Sequence, residues 1–265
     1  MNILEQLAEH ARERVETSKK LIPYDEMKYM ALSMPDGLFE FETALSKKEI
    51  AFICECKKAS PSKGVITDDY RFRRIANDYE AAGADCISVL TEPKWFHGCR
   101  DHLRIIADEV SIPVLRKDFT VDDYMIYEAK IMGAKAVLLI CSILSETQLA
   151  DYIKVADELG LSALVEAHDA DEIKKAVRAG ARIIGVNNRN LKDFTVDTNN
   201  SIELRKFIPD DVIYVAESGV KTREDILRLQ DAGVNAVLVG ETLMTASNRM
   251  AKLAELKGVE YNDEY

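Results

Sequence analysis

A helix-like stretch that stops at a glycine and passes at once into a β-branched run occurs four times in this chain: AAGADCISVL, MGAKAVLLI, AGARIIGVN and DAGVNAVLVG. The glycines, Gly83, Gly133, Gly180 and Gly233, lie 50, 47 and 53 residues apart. A glycine there is the residue just past a helix end, free to take a positive φ. Helix then strand at near-even spacing implies βαβ units, which cross over right-handed and build a parallel sheet. Four further apolar runs, AFICEC, IPVLRK, LSALVEA and VIYVAE, interleave with the repeats and bring the strand candidates to eight. Helical spacing of apolar residues runs through DDYRFRRIANDYEAAG, VDDYMIYEAKIMG, SETQLADYIKVADELG, DADEIKKAVRAG and KTREDILRLQDAG. Several of these open with Asp, Ser or Thr, which cap helices well. Eight such units close most economically as a (β/α)8 TIM barrel. A doubly wound open sheet is the alternative, and the unit count favours closure.

About fifty residues precede the first strand. ILEQLAEHARERVETSKK reads as one helix, and YDEMKYMALSM and FEFETALSKK as shorter ones. Residues 1–48 are too few to fold well alone, so an extra N-terminal helical segment packed on the barrel is expected, with 1–265 as one domain. The length of 265 residues and a hydrophobic content of 47% suit one barrel with a sizeable core. No run of eighteen apolar residues is present, and the charged N-terminus lacks the apolar centre of a signal peptide, so a cytoplasmic place is the default. A net charge of -11 argues against nucleic-acid and membrane partners. It leaves room for a small anionic ligand bound by local donors. The cysteines, Cys54, Cys56, Cys86, Cys99 and Cys141, are odd in number and form no CxxC. Neither a disulfide framework nor a zinc site is suggested.

In a parallel barrel the functional groups lie at the C-terminal ends of the strands, on inward-facing alternate residues. The first strand gives Glu55 and Lys57 on one face and Cys54 and Cys56 on the other. The third gives Lys117, the fifth Glu166, the sixth Asn187 with Arg189 two residues on, and the seventh Glu217 followed by Ser218 and Gly219. A charge at one strand end is ordinary solvent-facing polarity. Polar groups at five strand ends converging on one mouth are hard to explain as chance, and the charges among them are costly to bury unless they pair or serve a function. The loops AESGV and VGETLM place Gly beside Ser or Thr ahead of a helix, where backbone N–H groups bind phosphate as readily as they cap. SPSKG, after the first strand, adds hydroxyls beside the same place if first and eighth strands are neighbours. Trp95, Phe96 and Phe119 are either rim packing or a wall for a flat ring. His10, His97, His102 and His168 show no paired ligand spacing, and no metal motif or GxGxxG fingerprint is found. The Glu, Lys and Asn groups point to acid–base chemistry with no cofactor, and no obligate protein partner is evident.

The stretches ECKKASPSKG, LTEPKWFHG, LRKDFTVDDYMIYEAKIMGAKAVLLI, LVEAHD, GVNNRNL, VAESGV and LVGETLM resemble one family: indole-3-glycerol phosphate synthase, of tryptophan biosynthesis. They touch every strand, in order, and the N-terminal helical segment is similar too. The resemblance implies a decarboxylating lyase acting on 1-(o-carboxyphenylamino)-1-deoxyribulose 5-phosphate by ring closure, decarboxylation and dehydration. It implies that Lys117 is the general acid at the ribulose carbonyl oxygen, and that Lys57 lies near the substrate carboxylate and donates a proton in dehydration. Glu166 and Glu55 would be acid–base carboxylates of the later steps. Asn187, Glu217 and Ser218 would orient substrate and charges. Ser60, Gly219, Gly240 and Glu241 fall in the phosphate loops, Phe96 and Phe119 would hold the anthranilate ring, and Arg189 would reach the substrate. Trp95 stands where another aromatic, often Phe, is typical. No second barrel follows, so a fusion with the isomerase of the preceding step is not expected.

An acid lysine near neutral pH benefits from a lowered pKa, which burial and a second lysine would supply, while neighbouring carboxylates push the other way. The rival readings are another phosphate-sugar barrel, such as an aldose–ketose isomerase, and a non-catalytic ligand-binding barrel. The first needs no second lysine or aromatic wall. The second would be expected to lack Lys117 or Glu166.

Overall fold

The computed structural model describes residues 2–190 and 194–261; Leu191, the last residue of the GVNNRNL stretch, lies outside them. All four repeat glycines take the left-handed backbone, with φ of 78°, 84°, 87° and 79°. At Gly83 the glycine N–H donates to Glu80 O and the Ala84 N–H donates to Tyr79 O, both at 2.9 Å. The same two bonds recur at Gly133, Gly180 and Gly233, and at Gly160 as well. Each is a Schellman ending: two orphan carbonyls are satisfied and the chain is turned directly into the next strand.

Those strands are β1 (Ala51–Cys56), β2 (Cys86–Leu90), β3 (Val114–Lys117), β4 (Ala136–Ile140), β5 (Ser162–Ala167), β6 (Ile183–Asn187), β7 (Ile213–Glu217) and β8 (Ala236–Val239). They form one closed parallel barrel in sequence order. Closure is made by β1 against β8, from Ala51↔Ala236 to Cys54↔Val239, while β1 pairs β2 from Ile53↔Cys86 to Cys56↔Val89. An open doubly wound sheet has no such contact and is excluded.

The N-terminal segment holds α1 (Ile3–Leu21), α2 (Tyr24–Leu32) and α3 (Glu40–Leu45). The barrel helices are α4 (Phe72–Ala81), α5 (Arg100–Glu109), α6 (Tyr124–Ile131), α7 (Glu146–Glu158), α8 (Ala170–Arg178), α9 (Asn199–Leu204), α10 (Arg223–Asp231), α11 (Glu241–Met244) and α12 (Arg249–Lys257). Side-chain caps start three of the expected helices: Ser145 on Gln148, Asp169 on Asp171 and Glu172, and Thr222 on Asp225. DDYRF does not begin a helix. Its acids lie outside α4, which starts at Phe72 without a side-chain cap. Helix α1 buries Leu4, Leu7, Ala8, Ala11 and Val15. Among the described residues no helix is long and apolar enough to cross a membrane.

On β1 the alternation separates two environments. Cys54 and Cys56 are fully buried beside Tyr79 of α4, while Glu55 points into the barrel mouth. Ser60, Pro61, Ser62 and Lys63 of the SPSKG stretch border the mouth, and the stretch forms a small hairpin there. Ala59–Ser60 pairs antiparallel with Gly64–Val65, and Gly64, at φ 66°, turns this small hairpin in the open.

Candidate active site

A cavity of about 990 Å³ opens at the C-terminal ends of the strands. Of the side chains and loop glycines assigned to the site from the sequence, Glu55, Lys57, Ser60, Phe96, Lys117, Phe119, Glu166, Asn187, Arg189, Glu217, Ser218, Gly219, Gly240 and Glu241 line it. Leu138, Ile140 and Leu238 also line it, and Ile3, Leu4 and Leu7 of α1 add an apolar wall. Trp95 does not reach the cavity. It packs edge-on against His10 of α1, with ring centroids 5.5 Å apart.

Lys117 sits at the centre. Its Nζ donates to Glu217 Oε2 at 2.6 Å and to Glu166 Oε2 at 3.1 Å. Lys57 Nζ donates to Glu55 Oε2 at 2.5 Å. Two ammonium groups and three carboxylates, all largely buried, therefore face one another where charge interactions are stronger than in water. Burial alone would lower the pKa of Lys117, but Glu217, Glu166 and Glu55 outweigh it and raise the pKa well above the ordinary lysine value. The opposing pushes named from the sequence, burial and a second lysine against neighbouring carboxylates, are thus decided in favour of the carboxylates, three of which face this ammonium.

The two carboxylates on Lys117 are driven apart. Burial pushes Glu217 up to about 7, and the charge of Glu166 adds to the push against the pull of Lys117. Its Oε1 is buried and has no hydrogen-bond partner. Glu166 is lowered: burial would raise it, but Lys117, His168 and the Asn187 amide together prevail. Paired carboxylates with separated pKa values are a pattern of acid–base sites.

Gly185 and Gly240 make room for these groups. A Cβ on Gly185 would lie 2.2 Å from Glu217 Oε1, and one on Gly240 would lie 2.2 Å from Glu55 Oε2. Gly185 carries no chemistry of its own, and its only sequence signal is a glycine inside a β-branched strand.

The loops after β7 and β8 border the other end of the cavity. Ser218 and Gly219 both adopt positive φ, at 68° and 92°. The buried Asn188 holds this loop by donating from Nδ2 to Ser218 O at 3.1 Å. Strand β8 ends at Val239, and Gly240 is the N-cap of the short α11, the place where barrels of this class take up phosphate. Glu241 there is bracketed by Arg189 Nη2 at 3.3 Å and Lys63 Nζ at 3.4 Å. Lys63 was not singled out in the sequence, since a lysine in a polar loop carries no pattern. Opposite, the Phe96 and Phe119 rings stand 6.1 Å apart at 39°. The Phe96 loop is tied down by Glu92, whose carboxylate accepts from the N–H groups of Lys94, Trp95 and Phe96.

A closed (β/α)8 barrel with an anion-ready loop pair, an aromatic wall and opposed lysine–carboxylate groups at its mouth defines a barrel enzyme of the acid–base type. Comparison with known proteins narrows the class. The family model for indole-3-glycerol phosphate synthase matches residues 4–256. An indole-3-glycerol phosphate synthase of Ruminiclostridium cellulolyticum is 52% identical over 257 residues, covering 97% of this chain and 99% of the relative. One from Legionella pneumophila is 44% identical, covering 93% and 95%. A solved 3-hexulose-6-phosphate synthase superposes with a TM-score of 0.66 at 16% identity, over 80% of this chain and all of that one, a likeness of fold. The chain belongs to the indole-3-glycerol phosphate synthase family.

Proposed function

We infer that the chain is a carboxy-lyase of tryptophan biosynthesis, converting 1-(o-carboxyphenylamino)-1-deoxyribulose 5-phosphate into indole-3-glycerol phosphate. The observation that carries the residue assignments is Lys117, set between Glu217 and Glu166 on the floor of a cavity that has an aromatic wall at one end and glycine-rich loops at the other.

In this reading the anthranilate ring lies against Phe96 and Phe119. The phosphate takes backbone N–H groups at Gly219 and Gly240 with the Ser60 hydroxyl, and Lys63 and Arg189 balance Glu241 beside it. Lys117, held charged, gives its proton to the ribulose carbonyl oxygen as the ring carbon attacks. Lys57 faces the substrate carboxylate until CO₂ leaves, and then donates in dehydration. Glu55 and Glu166 exchange protons in the later steps, while Asn187, Glu217 and Ser218 hold this network and the substrate in register. Proton transfer by a placed side chain contributes roughly 10²- to 10⁴-fold in rate.

The same reading takes residues 1–265 as one domain, with 1–48 an extension whose α1 supplies part of the cavity wall. It places the enzyme in the cytoplasm, in keeping with five free thiols. Purified protein mixed with the substrate is expected to release CO₂ and develop indole fluorescence together. Isomerisation without CO₂ release would point to the phosphate-sugar rival instead.

A further inference from the structure

The stretch HDADE after β5 organises itself. Asp169 caps α8 by accepting from Asp171 N and Glu172 N, both at 2.9 Å. That start places Glu172 one turn into the helix, and its carboxylate reaches back to His168. Glu172 Oε2 accepts from the His168 backbone N–H at 2.8 Å and lies 3.2 Å from His168 Nδ1. The other ring nitrogen, Nε2, is buried without a hydrogen-bond partner and lies 3.6 Å from Glu166 Oε1. An imidazole is thus held between two carboxylates, one at each nitrogen. A neutral ring has a single N–H and would turn a lone pair toward one of them. Only the imidazolium offers a proton to both.

The charged groups facing the ring are Glu166 on β5, Glu172 on α8 and Glu217 on β7, with Lys117 of β3 on the far oxygen of Glu166. From α9 comes only the Asn200 amide, on His168 O at 3.5 Å. We propose that His168 is a positioning residue of the reaction centre: gripped by Glu172 as an imidazolium, it holds Glu166 ionised and keeps its second oxygen turned toward Lys117. This deepens the proposed function and rests on it, since Glu166 matters to turnover only if it is an acid–base group of that reaction.

Two features of the electrostatics agree. Burial would lower the His168 pKa, but the Glu172 hydrogen bond and the charges of Glu166 and Glu172 raise it above the ordinary histidine value. His168 in turn is one of the groups that lower Glu166. His168 is therefore the link between the half-buried Glu172 carboxylate and the one beside the reacting lysine.

The test is the pH profile of kcat/KM for the wild type, His168→Gln and Glu172→Gln, with thermal unfolding as a check on folding. Without an imidazolium, the acidic limb is expected to move up by about one pH unit in both variants, with kcat/KM at pH 8.5 retained within about threefold. An unmoved limb, or a loss equal at every pH, overturns the proposal, because packing alone would act uniformly. If His168→Gln does not fold, Glu172→Gln decides by the same criterion. An NMR titration of the His168 ring separates this idea from the reading beneath it. If the wild type shows no turnover, that reading fails. The proposal still requires a ring pKa above 6.5 in the wild type that falls in Glu172→Gln, and a lower or unmoved value overturns it.

Discussion

The Arg14 guanidinium of α1 grips the Asp118 carboxylate with both arms, at 2.7 and 3.0 Å, and Asp118 is the residue that follows Lys117 in the chain. Asp118 is buried, accepts from Thr91 Oγ1 at 2.6 Å and also from the Phe119 N–H at 2.8 Å. The N-terminal helix therefore fixes the turn that aims both Lys117 and Phe119 into the cavity. Arg14→Ala leaves a buried carboxylate short of its main partner and is expected to cost about 2–3 kcal/mol in urea unfolding at pH 7. Arg12→Ala, which breaks an exposed pair with Glu9, is expected to stay within about 0.5 kcal/mol. Burial would raise the Asp118 pKa, but Arg14 and Arg116 hold it well below the usual range. The stability from this depressed group is present above the unfolded value near 4 and is lost as pH falls toward the folded one. The deficit of Arg14→Ala should accordingly shrink as pH drops below about 4. A deficit that stays constant with pH would mean the pair is only packing.

Gly185 allows a separate check on how tightly the cluster around Lys117 is packed. A Cβ there meets Glu217 Oε1 at 2.2 Å, so Gly185→Ala must push that carboxylate off Lys117. A displacement of this size is expected to lower kcat by about 100-fold in a protein that still folds. Gly180→Ala is the contrast. Its φ of 87° disfavours a side chain, yet no atom lies within 4 Å of the added Cβ. It should cost about 1–2 kcal/mol of stability and leave kcat unchanged. Equal effects on kcat in the two variants would break the link between Gly185 and Glu217.

The barrel was legible because its punctuation is local. A glycine at a Schellman ending followed by a β-branched run needs no tertiary information, and the alternation in CEC already separates helix-facing from mouth-facing residues on β1. Helix α5 escaped because its N-cap, Cys99, makes no side-chain cap and its C-cap is an extended Val110 instead of a glycine. Helix α9, six residues long and also without a side-chain cap, escaped for a similar reason. The residues around the cavity were readable from strand ends, one position at a time. Their protonation was not. The direction of the Lys117 shift depends on how many carboxylates surround one ammonium, and that number exists only after closure brings β1, β3, β5 and β7 together. His168 looked silent for the same reason: its meaning lies in the two carboxylates around the ring.

The cysteines give a prediction about reactivity. Cys54, Cys56, Cys86 and Cys141 are buried, and Cys99 is half-buried. Burial pushes the Cys141 thiol up to about 12 and the Cys54 and Cys56 thiols far above their ordinary value, so little nucleophilic thiolate forms at neutral pH. Native protein treated with a disulfide reagent at pH 8 should label first at Cys99, with the rest appearing only on unfolding. Fast labelling of Cys54 or Cys56 would contradict the outward, helix-covered face assigned to them.

Lys117→Ala probes the centre directly. Turnover should fall by at least 10²-fold while the substrate still binds, as seen by fluorescence titration, because the loops after β7 and β8 and the Phe96–Phe119 wall are untouched. Near-normal turnover would sink the assignment of Lys117 as the acid. The same variant has a pH signature in stability. Glu217 already has a folded pKa of about 7, above its unfolded value near 4.3, so its favourable contribution is complete at low pH and is lost as pH rises through about 7. Removing Lys117 takes away the cation that Glu166 and Glu217 share, and both carboxylates then resist ionisation. Lys117→Ala should therefore lie close to the wild type in urea unfolding at pH 5 and fall well below it at pH 8.5. An equal deficit at both pH values would show that the lost lysine was filling space and was not holding two buried negative charges together.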